Sequence, residues 1–326
     1  MTIEELNKQV DQKRGVSDGW PKDIKYEAVD EANAIKVMIS DTKTSGDDVL
    51  KKIDPWGFAF LSEVKKISGK RDMELKFCIK FPPKKPQYEA LKRRLSYLAI
   101  ANNIKVTLEK YDLNDPLYSA NALIARPANE VVRDKFGKRG DNDKPGRLEK
   151  DLQKYLYGWG LHGDSKTIKE RTNERLALLG PDFVRIGKLK KKTDGNGYKV
   201  EREFPTGVFD RSVKEGNRIL PTEYIDLVTI NRNGELSLIE LKFDDPKLEV
   251  ISQVLNYALF FHSYRSQLTP LVDSMLSYST SKYKFVTYLV SNIFHHKWFD
   301  IVFPYYAKGP LIIKQVIMGY MPGLRE

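Results

Sequence analysis

Apolar positions along this chain switch between a period of two and a period near 3.6, and the switches outline its elements. Residues 34–40 (AIKVMIS) and 73–81 (MELKFCIKF) are dense in branched and aromatic side chains, which predicts strands. Residues 87–102 change to helical spacing, with Leu91, Leu95, Leu98 and Ala99 on one face. A further strand is predicted over 104–110. The interval 137–146 (GKRGDNDKPG) combines glycine, proline and charge with almost nothing to bury, as a linker does. Beyond it a helix is predicted from Leu148 to about Trp159, its apolar face formed by Leu148, Leu152, Tyr155, Leu156 and Trp159. Two extended segments flank Arg232-Asn233-Gly234, a hairpin turn signal. A helix over 246–264 follows, with Asp245 as its cap and Pro246 at its first position, then strands over 283–290 and 311–319. The chain therefore reads as α/β. A small α+β domain is predicted over 1–136, then the linker, then an α/β domain over 147–326.

The hairpin register decides what its polar residues do. A two-residue loop at Asn233-Gly234 would pair Arg232 with Glu235 and set Leu227 opposite Glu240. A three-residue loop would pair Asn231 with Glu235 and bring Asp226 opposite Glu240, with Gly234 in the left-handed conformation this loop requires. Side chains alternate along a strand, so Glu240 and Lys242 share a face, and Asp226 joins them in the three-residue register. The opposite face then presents Ile225, Leu227, Ile239, Leu241 and Phe243 to a core. Carboxylates facing each other across a ladder are unfavourable unless something compensates them. A divalent cation such as Mg²⁺ or Mn²⁺ would, and a lysine beside it can position an attacking water. Four residues apart on the next helix, Gln253 and Tyr257 project from one face among apolar neighbours.

Composition narrows the partners. Lysine plus arginine number 55 against 44 acidic residues, a formal charge of +11 over 326 residues, which suits a polyanion such as DNA. The single cysteine, Cys78, allows no intrachain disulfide. The N-terminus is polar and no apolar run approaches the ~18 residues of a membrane span, so a soluble cytoplasmic protein without a membrane partner is expected. No phosphate-binding loop is present, and His162, His262, His295 and His296 lack the spacing of zinc ligands. The adjacent pair His295-His296 is expected at the surface or in packing. The basic run 188–192 (KLKKK) reads as a solvated loop, with tracking of a phosphate backbone as the alternative.

Asp226, then Glu240-Leu241-Lys242, then Gln253 and Tyr257 resemble the D…(D/E)xK…QxxxY signature of the PD-(D/E)XK nuclease superfamily, particularly its RecB-like and NucS-like branches. The resemblance covers about residues 148–300. It implies a restriction-endonuclease-like core, a central mixed sheet flanked by helices, and hydrolysis of phosphodiester bonds with Mg²⁺ or Mn²⁺. It assigns Asp226, Glu240 and the carbonyl of Leu241 to the metal, and Lys242 to catalysis. Glu149 on the first core helix is the candidate further ligand, with Glu174 in reserve. Gln253 and Tyr257 would support the site or touch substrate. Ile225 stands where the family often has proline.

An ExK triplet by itself is nearly uninformative, and Glu-Leu-Lys-Phe occurs at both 74–77 and 240–243. The earlier copy lacks a matching aspartate and the glutamine–tyrosine helix. The leading expectation is a DNA endonuclease of repair or defence. The alternatives are a nucleic-acid-binding protein that does not cut, or an RNase. The N-terminal domain would bind DNA, build a homodimer or sense a signal.

Overall fold

The computed structural model describes residues 1–16, 19–29, 33–39, 46–70, 72–80, 84–109, 130–131, 148–157, 175–183, 200–210, 212–276 and 284–318. The expected linker at 137–146, the basic run 188–192, Trp159, His162 and Glu174 lie outside the described residues. The architecture is mixed α/β, with mixed sheets flanked by helices.

The N-terminal half opens with helix α1 (Ile3–Gln12), which carries a capping box: Thr2 accepts from the Glu5 amide while Glu5 accepts from the Thr2 amide. Strands β1 (Ile24–Val29), β2 (Ala34–Ile39), β3 (Glu74–Ile79) and β4 (Val106–Glu109) form one sheet in that order, antiparallel at β1–β2 and parallel beyond. Helices α2 (Gly46–Ser68) and α3 (Lys85–Asn102) supply the crossovers. The three strands and one helix expected here are present with slightly shifted ends. The long helix α2 escaped the periodicity reading because Pro55 and Gly57 interrupt it. Gly57 is there for contact: a Cβ on it would meet the Phe77 ring at 2.7 Å.

The C-terminal half starts with α4 (Leu148–Tyr157). Its five-stranded sheet runs β12 (Ile312–Ile317), β11 (Phe285–Ser291), β10 (Leu236–Lys242), β9 (Tyr224–Ile230), β6 (Glu201–Pro205). The first three strands are parallel and the last three antiparallel. A small antiparallel sheet of β5 (Glu130–Val131), β7 (Val208–Phe209) and β8 (Arg218–Leu220) lies beside it. Helices α5 (Val250–Ser263) and α6 (Arg265–Leu276) separate β10 from β11. The short helix α7 (Trp298–Ile301) runs on into a wide turn over Val302–Tyr306 before β12.

One apolar core crosses the two halves. Phe58, Phe60, Leu91 and Leu95 from α2 and α3 pack in the same cluster as Ile251, Leu255, Trp298 and Tyr306. A second core lies under α5 and α6 around Tyr257 and Phe261, and a third under α4 around Leu227, Ile239 and Leu241. Among the described residues, no helix is long and apolar enough to cross a membrane.

Two expectations are corrected. The helix predicted from 246 begins at Val250, and Asp245 does not cap it. Asp244 takes a left-handed backbone (φ 51°) and exchanges two hydrogen bonds with Asn292, while Asp245 pairs with Lys247 at 2.9 Å, so the chain turns before it coils. Ile225 does not join Leu227 and Leu241 but packs with Phe204, Val228 and Ile230. The β6–β9 ladder skips the rung between Glu203 and Asp226, where Glu203 has φ 52°, and the alternation of faces slips there.

Candidate active site

The hairpin adopts the three-residue loop. The Asn231 amide donates to the Glu235 carbonyl, the Gly234 amide donates to Asn231, and Gly234 has φ 76°. The Asn231 side chain braces the turn by accepting from the amides of Asn233 and Glu235. Pairing runs Leu236–Ile230, Ser237–Thr229, Leu238–Val228 and Ile239–Leu227, so the next rung sets Glu240 against Asp226. Sheet hydrogen bonding then gives way to side-chain bonding. The Leu241 amide donates to the Asp226 carboxylate at 2.8 Å instead of to a neighbouring backbone carbonyl.

At this end of the sheet the candidate residues converge on one positive charge. The Lys242 ammonium lies 2.7 Å from a Glu240 carboxylate oxygen, 3.1 Å from Glu149 and 3.0 Å from the Leu241 carbonyl. Glu149 reaches it from α4 on one side of the sheet, while Glu240 lies towards α5 on the other. Asp226 stands behind Glu240, held by the Leu241 amide and by Gln153, whose side-chain amide donates to both the carbonyl and the carboxylate of Asp226. Glu149, rather than Asp226, therefore shares the ammonium with Glu240.

The electrostatics are under strain. Glu240 is 1 % exposed, and one of its two oxygens has no hydrogen-bond partner. Burial raises its carboxyl above the ordinary range, although Lys242 pulls the other way. Asp226 is raised well above that range by burial and then by the neighbouring Glu240 charge; Lys242 and the Leu241 amide only partly offset this. Burial alone would lower Lys242, but Glu240, Asp226 and Glu149 together more than reverse it, so the ammonium holds its proton.

Tyr257 is fully buried behind Glu240. Its hydroxyl accepts from Gln253 at 2.5 Å, and its single proton goes to the Tyr224 carbonyl at 2.8 Å, leaving none for the nearby Glu240 oxygen. Burial first, then the Glu240 charge, raises this phenol well above its ordinary range. Tyr257 is thus a support, out of reach of a macromolecule, and Gln253 supports Tyr257. His295 and His296 stack at 4.2 Å; His295 is buried against Trp56 and His296 is exposed.

Sequence reasoning missed Gln153. It sits four residues after Glu149 on α4, so both project from one helix face, and that i,i+4 spacing was the available signal.

Among the described residues, no three carboxylate, imidazole or thiol side chains gather tightly enough to hold a metal ion by themselves. The converging set is mixed: two carboxylates and a peptide carbonyl around an ammonium. The Lys242 nitrogen is a stand-in cation there. All three donors are hard oxygens, and a fourth oxygen, the second of the Glu240 carboxylate, is unpartnered, so the residues fit Mg²⁺ or Mn²⁺. Scanned against protein-family models, the curated proteins and the solved structures, the chain matches none.

Proposed function

We propose that the chain is a metal-dependent nuclease of the PD-(D/E)XK kind, hydrolysing phosphodiester bonds in DNA at the open end of the β9–β10 hairpin. The observation that carries this reading is the convergence of Glu240, Glu149 and the Leu241 carbonyl on one cation position, with Asp226 on the adjacent rung. A central mixed sheet with α4 towards one face and α5 towards the other agrees with a restriction-endonuclease-like core.

A bound Mg²⁺ or Mn²⁺ would supply Lewis-acid activation at the scissile phosphate. Glu240, Glu149 and the Leu241 carbonyl would hold it, with the neighbouring Asp226 as a further carboxylate. The Lys242 ammonium, beside these oxygens, would orient a water for attack and neutralise charge that develops on the phosphate oxygens. Gln153 keeps Asp226 oriented, and Tyr257 fixes the strand end by bonding the Tyr224 carbonyl. The overall charge of +11 favours a polyanionic substrate.

The test is a cleavage panel of single-stranded, duplex and branched DNA, and of RNA, with Mg²⁺, Mn²⁺ or chelator. Metal-dependent cutting by the wild type, slowed by about 10²-fold or more in Asp226→Asn, is the expected result. Cutting at a near wild-type rate by Asp226→Asn, or no cutting of any substrate with either metal, would remove the reading.

A further inference from the structure

The loop after β11 and the helix that follows carry an apolar stripe on their outer side. Trp298, Ile301, Val302, Tyr305 and Tyr306 turn inward to the core shared by the two halves. Outward-facing positions of such a segment are ordinarily polar. Here they are Ile293, His296, Phe299 and Phe303, with Phe299 53 % and Phe303 61 % exposed. The two phenyl rings lie nearly parallel, 16° apart with centroids 6.0 Å from each other. Four exposed side chains within 293–303, three of them aromatic and two of them stacked, are not the scattered apolar residues that any surface has.

The stripe starts at the candidate active site. Asn292 exchanges two hydrogen bonds with Asp244, two residues beyond Lys242, and Ser291 pairs with Lys242 across the parallel ladder. Ile293 is the next residue along. Lysines border the far part: Lys66 bonds Asp300 at 2.8 Å beside Phe299, and Lys65 lies over the Tyr305 ring. Lys308 is exposed and near enough to Lys65 to depress its ammonium, an effect secondary to burial.

We propose that this stripe is a docking surface for the unpaired bases of single-stranded nucleic acid, leading a strand to or from the hairpin end. Flat exposed rings beside lysines serve stacking on base faces together with attraction for the backbone. A duplex keeps its base faces inside and cannot use them. Placing single strands as the substrate of that end rests on the nuclease reading; the binding itself does not.

The experiment is fluorescence anisotropy with a labelled oligothymidylate and with a duplex, in chelator so that no cleavage occurs, on wild type and on a Phe299→Ala/Phe303→Ala double variant. Both side chains are exposed, so the melting temperature should hold. Base–aromatic stacking contributes roughly 1–3 kcal/mol per base, so the double variant should lose at least about tenfold in single-strand affinity. Duplex affinity should change by less than about twofold. Equal losses on both substrates, or unchanged single-strand binding, would overturn the proposal. So would sedimentation showing a wild-type dimer that the double variant splits while single-strand affinity stays the same. A protein that binds single strands through the stripe but never cuts with Mg²⁺ or Mn²⁺ would retain the surface and lose the nuclease.

Discussion

Two buried charge clusters in this molecule are built to opposite standards. Between the halves, Asp54 on α2 is fully buried against Arg94 on α3, which donates to both of its oxygens at 2.9–3.2 Å. Ser252 and Tyr306 donate to the same carboxylate, and Arg94 also donates to Asn256 and to the Leu50 carbonyl. Every oxygen of Asp54 has a partner. At the hairpin end, two carboxylates share one lysine with a third carboxylate close by, a Glu240 oxygen goes unbonded, and burial pushes both Asp226 and Glu240 towards holding protons. The first cluster is a closed network that locks helices together. The second is short of positive charge and hydrogen-bond donors. A fold that satisfies one buried carboxylate fully leaves another wanting, and on the proposed nuclease reading that unmet electrostatic demand is what a bound cation would meet.

The contrast breaks if the two clusters respond alike to mutation. The largest separation is expected in cleavage. Asp226→Asn or Lys242→Ala should lower turnover by about 10²–10³, roughly 3–4 kcal/mol of transition-state stabilisation, with DNA affinity changed only a few-fold. Lys242→Arg should be nearly as poor, because a planar guanidinium does not replace a compact ammonium. Single-turnover assays and binding on the same preparations read this. If Lys242 were only a structural counterion, Lys242→Ala would instead lower the melting temperature, and added Mg²⁺ would restore both stability and cleavage.

Comparable in size, but in stability and not in turnover, is the network between the halves. Arg94→Leu strands the Asp54 carboxylate and should cost about 3–5 kcal/mol in denaturant unfolding. The folded fraction should still cut at a near wild-type rate. A stability loss under ~1 kcal/mol would show that the network contributes little.

Stability against pH gives a smaller effect of a defined sign. Asp226 and Glu240 are raised above ordinary values of 3.8 and 4.5, so between those values and the raised ones the folded state binds more protons than the unfolded state. Their contribution to stability is therefore lost as pH rises through that window. Asp226→Asn should flatten the fall and gain on the order of 1 kcal/mol near neutral pH. In the same window Mg²⁺ should bind with proton release, so its affinity should climb with pH in calorimetry run in buffers of different ionisation heat. A variant whose stability tracks the wild type at every pH would contradict the strain assigned to Asp226. The smallest effect belongs to Gln153→Ala, expected to slow cleavage several-fold through a less well held Asp226, with melting nearly unchanged.

Much of the site was legible in the sequence because it is local. Gly234 after Asn233 selects a loop, the loop selects a register, and the register alone brings Asp226 towards Glu240 within one hairpin. The strands and α3 were legible for the same reason, since periodicity reports burial within one segment. Helix α2 was not, because Pro55 and Gly57 interrupt its pattern, and the reason for Gly57, its close approach to Phe77 of β3, lies outside the helix. The start of α5 was misread because the left-handed turn at Asp244 is held by Asn292, a partner far along the chain.

By itself, then, the sequence determined the hairpin, its register and the side chains presented at its end, since these follow from turn chemistry and strand alternation between near neighbours. Only the tertiary structure decided what those side chains meet. It brought Glu149 and Gln153 from α4 to Lys242 and Asp226, put Tyr257 behind Glu240, and joined the halves through Asp54 and Arg94. Those contacts include pairs 73, 93 and 162 positions apart, Gln153 with Asp226, Lys242 with Glu149 and Arg94 with Asn256, and no local pattern carries them. Desolvation is equally non-local: a carboxylate is strained by everything packed around it, so its charge state is a property of the assembled fold.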